Sequence, residues 1–117
     1  MLNCTLYFYF DKRVKKMSVK ELKADEMGAV MSGKVFLEFY SPECAYCRAT
    51  EPTVNKLSEK FTDVDFYKVN TRTNESLTHS CNIRSLPTFI VFSDGKEVGR
   101  AFGAKSEKEL TSLISLF

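Results

Sequence analysis

The stretch "KVFLEFYSPECAYC", residues 34–47, decides both the fold class and the chemistry of this chain. Residues 34–40 form a nearly continuous run of β-forming apolar residues, which predicts a strand buried on both faces. Glu38, in the middle of that run, is an anomaly because a carboxylate is costly to bury. Cys44 and Cys47 follow the strand at once, where the pattern becomes helical.

A helix is predicted to begin near residue 42. Ser41 can cap it, and Pro42 suits its first turn. Apolar residues then recur at helical spacing: Val54, Leu57 and Phe61. Pro52 falls inside this helix and should kink it.

The rest of the chain alternates between strand and helix patterns. Strands are predicted at 18–22, 64–70, 87–93 and 96–102, and helices at 25–32, 74–81 and from Ser106 onward. The last two strands should form a hairpin around Asp94-Gly95, and Ser106 with Glu109 forms a capping box. The order β-α-β-α-β-α-β-β-α indicates an α/β fold, with a mixed sheet covered by helices on both faces.

Composition narrows the function classes. The chain has 117 residues, 44% hydrophobic and 27% charged, and a formal net charge of +2, which suits one globular domain. This small charge gives no electrostatic reason to expect nucleic acid as a partner. Four cysteines are too few for a disulfide scaffold.

The first residues form a separate segment. Residues 2–10 alternate apolar and polar side chains, which allows an additional strand, and a basic stretch follows them. The apolar run is too short to span a bilayer. Its positive charge follows the run instead of preceding it, unlike a secretory signal. We therefore expect an N-terminal extension at 1–16, no membrane association and a cytoplasmic location.

The position of the cysteine pair favours redox chemistry. The free N–H groups and the positive end of the dipole at a helix start stabilise a thiolate on Cys44. That thiolate is the attacking species in disulfide exchange. Cys47, one turn later, can reach back to resolve a mixed disulfide, and Arg48 adds positive charge nearby.

Two other uses of a cysteine pair are a zinc site and a structural disulfide. A zinc site would need two more ligands, and His79 and Cys81 do not match common zinc spacings. A structural disulfide would close so short a loop that it would add little stability. Both alternatives are less favoured than a reactive pair, and we expect no metal site.

Residues 18–117 resemble thioredoxin and the catalytic domains of protein disulfide isomerase. "FLEFYSPECAYC" is similar to the isomerase version of the active-site strand and helix start, and Pro52 stands where the family has its helix-kinking proline. "SLPT" matches the cis-proline loop and would place Pro87 opposite the cysteines, and Gly103 matches a glycine on the last strand. The resemblance implies a thioredoxin fold for a domain at 17–117.

The resemblance also implies roles for residues around the cysteines. In the family, an acidic residue six positions before the first cysteine lies buried behind the pair, with a lysine on the next strand; here these are Glu38 and Lys68. A desolvated carboxylate could shuttle a proton for Cys47, although a structural ion pair between Glu38 and Lys68 is the alternative. The resemblance also implies five substrate-binding residues: Leu86, Pro87, Ala45, Tyr46 and Gly103. Leu86 should pair with an extended substrate segment.

This chain departs from thioredoxin between the cysteines. It has Ala45-Tyr46 there, Glu43 just before Cys44, and no tryptophan. The intervening pair tunes the reduction potential, and Glu43 should disfavour the thiolate.

The function expected from the resemblance is a thiol–disulfide oxidoreductase that reduces disulfides in substrate proteins. A thioredoxin-reductase-type donor would recharge it, and we expect a monomer that needs no cofactor. A more oxidising isomerase, or a binding or chaperone module without redox turnover, is the alternative. The intact cysteine pair, Glu38 and the proline loop argue against a pure binder, which needs none of them.

Overall fold

The computed structural model describes residues 19–117. Its strands are β1 (Lys20–Glu21), β2 (Lys34–Tyr40), β3 (Val64–Asn70), β4 (Thr88–Ser93) and β5 (Lys96–Phe102). Its α-helices are α1 (Met27–Val30), α2 (Ala45–Lys60), α3 (Glu75–Ser80) and α4 (Glu107–Ile114), and a 3₁₀ turn at Ala24–Glu26 precedes α1. The predicted element order is confirmed. The predicted extension at 1–16 lies outside the described residues.

The five strands form one mixed sheet in the order β1-β3-β2-β4-β5. Strands β1, β3 and β2 run parallel, and β4 and β5 are antiparallel to their neighbours. Strand β2 is thus the centre of the sheet, hydrogen-bonded to β3 on one side and to β4 on the other. The active-site sequence begins where this central strand ends.

Two apolar layers cover the two faces of the sheet. Alternate side chains of β2 point to opposite faces: Phe36 packs with α2 and α4, whereas Val35, Leu37 and Phe39 pack towards α1 and α3. All four side chains are fully buried. By the same alternation, Glu38 lies on the face that α2 covers, and this places its carboxyl beneath the cysteine-bearing helix.

The C-terminal part of the chain folds as its turn and cap signals predict. Asp94 and Gly95, between β4 and β5, both have positive φ angles, 49° and 84°, as a two-residue hairpin turn of type I′ requires. Ser106 accepts the N–H of Glu109, and the Glu109 carboxylate accepts the N–H of Ser106. The hairpin and the capping box are confirmed.

Strand β1 is shorter than the predicted 18–22, and the start of α2 was also predicted wrongly. Helix α2 begins at Ala45 with Cys44 as its N-cap, three residues later than the Ser41 cap predicts. The sulfur of Cys44 accepts the N–H of Cys47. It therefore caps the helix as a serine oxygen would. Pro52 lies inside the helix, as expected.

Candidate active site

The candidate active site lies at the carboxyl end of β2. Residues 41–44 leave the sheet there and turn into α2, which carries both cysteines at its start. Because β2 is held on both sides and its alternating side chains are buried, the position of this turn is fixed by the core. The site is therefore built on the most constrained strand of the fold.

Cys44 is the accessible member of the pair. It is half-buried, and its sulfur accepts the backbone N–H of Cys47 at an N–Sγ distance of 3.2 Å. Hydrogen bonds to the charged form of a group favour that form, and the free N–H groups at a helix start act in the same direction. The sulfur thus lies where a thiolate is stabilised and where another molecule can reach it.

Cys47 differs from Cys44 in burial. Its side chain is 4% exposed, and it faces into the protein beneath the first turn of α2. Burial, and after it the interaction of the thiol with the Cys44 side chain, raises the pKa of the Cys47 thiol to about 12. Such a thiol keeps its proton at neutral pH and becomes nucleophilic only when a nearby base removes it.

Glu38 supplies a titratable group close to Cys47. It is 5% exposed, and burial raises the pKa of its carboxyl to about 7 even though the nearby Lys68 ammonium acts to lower it. Glu38 and Cys47 line the same cavity of about 240 Å³. A carboxyl with this pKa can both accept and return a proton at neutral pH.

Lys68 occupies the position opposite Glu38 on β3, as the parallel register pairs the two residues. Its ammonium forms an ion pair with Glu51 of α2, at a Nζ–Oε2 distance of 3.6 Å, and lies 5.1 Å from the centre of the Tyr40 ring. No ion pair joins Lys68 to Glu38 within residues 19–117. The alternative of a structural Glu38–Lys68 ion pair therefore has no support in the geometry.

Tyr40 connects the site to the edge of the sheet. Its hydroxyl donates to both carboxylate oxygens of Glu21 on β1, at 2.7 and 2.9 Å. Burial and the Glu21 carboxylate both raise the pKa of the Tyr40 hydroxyl, so the ring stays neutral. Its face remains available to the Lys68 ammonium.

The charged side chains that flank Cys44 each have a partner. Glu43, expected to disfavour the thiolate, forms an ion pair with Arg72 at 2.8 Å, and the Arg72 guanidinium lowers the pKa of the Glu43 carboxyl. Arg48 donates to the carbonyl of Pro42 at 2.8 Å and so holds the turn before Cys44. Arg72 thus offsets much of the repulsion that the sequence attributes to Glu43.

The expected substrate-binding residues fall into two groups. Ala45 and Tyr46 open α2, and both are exposed, the Tyr46 side chain by 68%. Pro87 follows a cis peptide bond and accepts the N–H of Gly103 at 2.8 Å. Since Phe39 pairs with Thr88 across β2 and β4, the loop of Leu86 and Pro87 runs beside the end of β2. Gly103 lies just beyond β5, one residue past the strand on which it was expected.

The remaining candidates do not line the cavity of Glu38 and Cys47. Cys81 is a free, half-buried thiol that packs against the apolar cluster on the α1 and α3 face, and its burial raises its pKa. His79 is exposed on α3. Over residues 19–117, no group of histidine, cysteine or acidic side chains could hold a metal ion. In the same residues, no helix has the length and apolar character that crossing a membrane requires.

Three residues that contact side chains of the site were not predicted from the sequence. Glu51 follows Cys47 by four residues, so its helical spacing could have placed it on the same face. Arg72 lies in the loop after β3 and Glu21 on a two-residue strand. Nothing in the local sequence connects either of these two to the cysteine turn.

Comparison with known proteins agrees with this architecture. The thioredoxin family model matches residues 10–116. A thioredoxin of Aspergillus fumigatus is 36% identical over 83 residues, covering 71% of this chain and 77% of the fungal one. A thioredoxin of Mycoplasma genitalium is 34% identical over 101 residues, covering 85% of this chain and 94% of its own.

Solved structures show the same likeness. Thioredoxin f from spinach chloroplasts superimposes with a TM-score of 0.80 at 28% identity, covering 91% of this chain and 92% of that one. A mutant thioredoxin from Halobacterium salinarum also gives 0.80 at 28% identity, covering 86% and 91%. With paired cysteines at a helix start on this fold, the chemistry indicated is thiol–disulfide exchange, and the chain belongs to the thioredoxin family.

Proposed function

We propose that this protein reduces disulfides in other proteins through a cycle of Cys44 and Cys47. The observation that carries the proposal is the shared cavity of Glu38 and Cys47. In it, a carboxyl with a pKa of about 7 lies with a thiol whose pKa is raised to about 12. A buried acid beside a buried thiol is typical of a site where a proton, here that of Cys47, is moved during turnover.

The first half of the cycle is the attack of the Cys44 thiolate on a substrate disulfide. A new bond joins Cys44 to one substrate sulfur, and the other substrate sulfur leaves as a thiolate. The exposure of Cys44 and the hydrogen bond from Cys47 N–H to its sulfur support this role. Cys47, being buried, is poorly placed to make this first attack.

The second half of the cycle is resolution. The Glu38 carboxylate takes the proton of Cys47, and the resulting thiolate attacks the Cys44 sulfur. The bond from Cys44 to the substrate breaks, a Cys44–Cys47 disulfide forms, and the substrate leaves with two more electrons than it had. A donor of the thioredoxin-reductase type would return two electrons to this disulfide, while Glu38 gives the proton back.

Substrate would dock across the two groups of residues that flank Cys44. The exposed Tyr46 ring offers an apolar contact next to Ala45, and the backbone at Leu86, just before β4, can pair with an extended segment. Pro87 and Gly103, joined by a hydrogen bond, would fix the shape of that edge. Lys68, the register partner of Glu38 on β3, lines the same cavity and acts to lower the pKa of the Glu38 carboxyl.

The proposed setting follows from the chemistry. A protein reductase works where thiols are kept reduced, so we place it in the cytoplasm, acting as a monomer because a substrate must reach Cys44. We further propose that residues 17–117 form the working domain and that residues 1–16 are an appendage to it.

Reduction of insulin tests the proposed function. With dithiothreitol as donor, the protein should accelerate precipitation of the insulin B chain, and the Cys44→Ser variant should not. Replacing dithiothreitol with NADPH and a thioredoxin reductase tests the proposed donor. A protein that refolds scrambled disulfides efficiently but reduces insulin poorly would be an isomerase instead, and one inactive in both assays would be a binding module.

A further inference from the structure

Glu51 lies on α2 one helical turn beyond Cys47, on the side that lines the cavity shared with Glu38. Its carboxylate contacts the Lys68 ammonium at 3.6 Å. The Glu51 side chain is 59% exposed and that of Lys68 is 28% exposed. The contact thus lies at the outer end of the cavity, while Glu38 lies at the inner end.

Two carboxylates therefore compete for one ammonium. Lys68 is the register partner of Glu38, yet its Nζ forms its ion pair with Glu51 and lies over the Tyr40 ring. A cation held towards the outer end of the cavity stabilises the charged form of Glu38 less than one paired with it directly.

We propose that Glu51 is a positioning residue that, by sharing the Lys68 ammonium, sets how tightly the buried Glu38 carboxyl holds its proton. This inference rests on the proposed function, in which Glu38 moves the proton of Cys47. Proton transfer by Glu38 would then also depend on a residue at the surface of α2, outside the group of buried side chains.

The charged and titratable groups around Glu38 come from each element packed against it. They are Lys68 on β3, Cys47, Arg48 and Glu51 on α2, Tyr40 on β2, and Glu21 on β1. Among the charges, Lys68 lowers the pKa of Glu38, whereas Glu51 and Glu21 raise it. Strand β4 contributes the apolar Phe89, the register partner of Glu38 on that side.

Glu51 is the member of this set that can adjust Lys68 at little structural cost. The Glu21 carboxylate is already engaged by the Tyr40 hydroxyl. Glu51 has one long contact and is more than half exposed, so replacing it by glutamine leaves no buried group without a partner. Removing its charge both releases Lys68 towards Glu38 and withdraws a negative charge from the cavity.

The experiment titrates the Glu38 side-chain carboxyl by carbon NMR in the reduced full-length protein, in the original sequence and in Glu51→Gln. Glu59→Gln is the matched control, because Glu59 is exposed on the same helix and does not line the cavity. Glu51→Gln should lower the midpoint of Glu38 by about half a pH unit, about threefold in proton affinity. Glu59→Gln should leave it unchanged.

A second arm tests whether Glu51 acts through Lys68. In a Lys68→Met background the effect of Glu51→Gln should fall to less than half, since there is no ammonium left to release. Equal shifts in Glu51→Gln and Glu59→Gln would overturn the inference, as would a shift that Lys68→Met leaves intact. These readouts need no turnover, so they stand or fall separately from insulin reduction, whose failure would overturn the proposed function alone.

Discussion

The backbone N–H of Cys47 donates to the sulfur of Cys44 at 3.2 Å, so the two cysteines of the pair are chemically unequal. One sulfur receives a hydrogen bond at the start of a helix. The other is 4% exposed, and burial raises its pKa to about 12. The proposed order of events, attack by Cys44 and resolution by Cys47, rests on this asymmetry.

Cys47→Ser should trap substrates as mixed disulfides. The backbone N–H that Cys44 receives is unchanged by the substitution, so Cys44 still attacks, but no internal thiol can release the product. Non-reducing gels of lysate exposed to the variant should show new bands that dithiothreitol removes. Cys44→Ser is the control and should trap nothing; capture by that variant alone would reverse the two roles.

Glu38→Gln should slow resolution by at least about tenfold near neutral pH, because the Cys47 proton loses its acceptor. An aromatic disulfide whose thiolates are coloured distinguishes attack from resolution by absorbance. Attack by Cys44 releases the first thiolate, and resolution by Cys47 releases the second. In the original protein the second phase should accelerate as pH rises through about 7, where Glu38 loses its proton. A second phase of equal rate in the variant from pH 6 to 8 would leave Glu38 without a role in proton transfer.

The stability of the reduced protein should depend on pH through the same carboxyl. The folded pKa of Glu38, about 7, exceeds the ordinary glutamate value of 4.5, so between these two values the folded state binds more protons than the unfolded state. The contribution of Glu38 to stability is thus full below pH 4.5 and is lost as pH rises through about 7. The loss amounts to about 3 kcal/mol.

Urea unfolding of Glu38→Gln and of the original protein at pH 5 and pH 8 measures this effect. Between pH 5 and pH 8 the free energy of unfolding of Glu38→Gln should rise relative to that of the original protein by about 2.5 kcal/mol. Glu59→Gln should show no such gain. A gap between Glu38→Gln and the original that stays constant with pH would mean that the folded protein tolerates the Glu38 charge without cost.

Deletion of residues 1–16 should leave insulin reduction within about twofold of the full chain, since the β1 to α4 elements and both cysteines lie in residues 19–117. Circular dichroism and the same assay compare the two forms. An unfolded or inactive truncated protein would show that the extension belongs to the domain.

Much of the fold follows from short-range patterns. The bounds of β2 were predicted to the residue because its run of apolar side chains is continuous. The start of the last helix was predicted because its capping box is complete. The start of α2 was missed for a local reason: Ser41 is the better capping residue by type, yet the Cys44 sulfur accepts the N–H of Cys47.

The charge contacts of the site were beyond local patterns. Lys68 was expected beside Glu38, and the strand register places it beside Glu38. Its ion pair with Glu51, however, depends on how α2 lies over the sheet. The Glu43–Arg72 pair likewise joins two loops that only the folded sheet brings together. Spacing within one element predicts neighbours on that element, whereas the partners of a flexible charged side chain are set by packing.

Strand β2 is hydrogen-bonded on both sides and delivers the reactive turn from its end. Amides in such a central strand exchange with solvent only when the whole domain opens, so those of Leu37 and Phe39 should exchange among the slowest. The two-residue β1 and β5, which are the outer strands of the sheet formed by residues 19–117, should exchange far sooner. The sulfur chemistry therefore takes place on a rigid platform, and any motion needed to admit differently shaped substrates has to come from the periphery of the sheet.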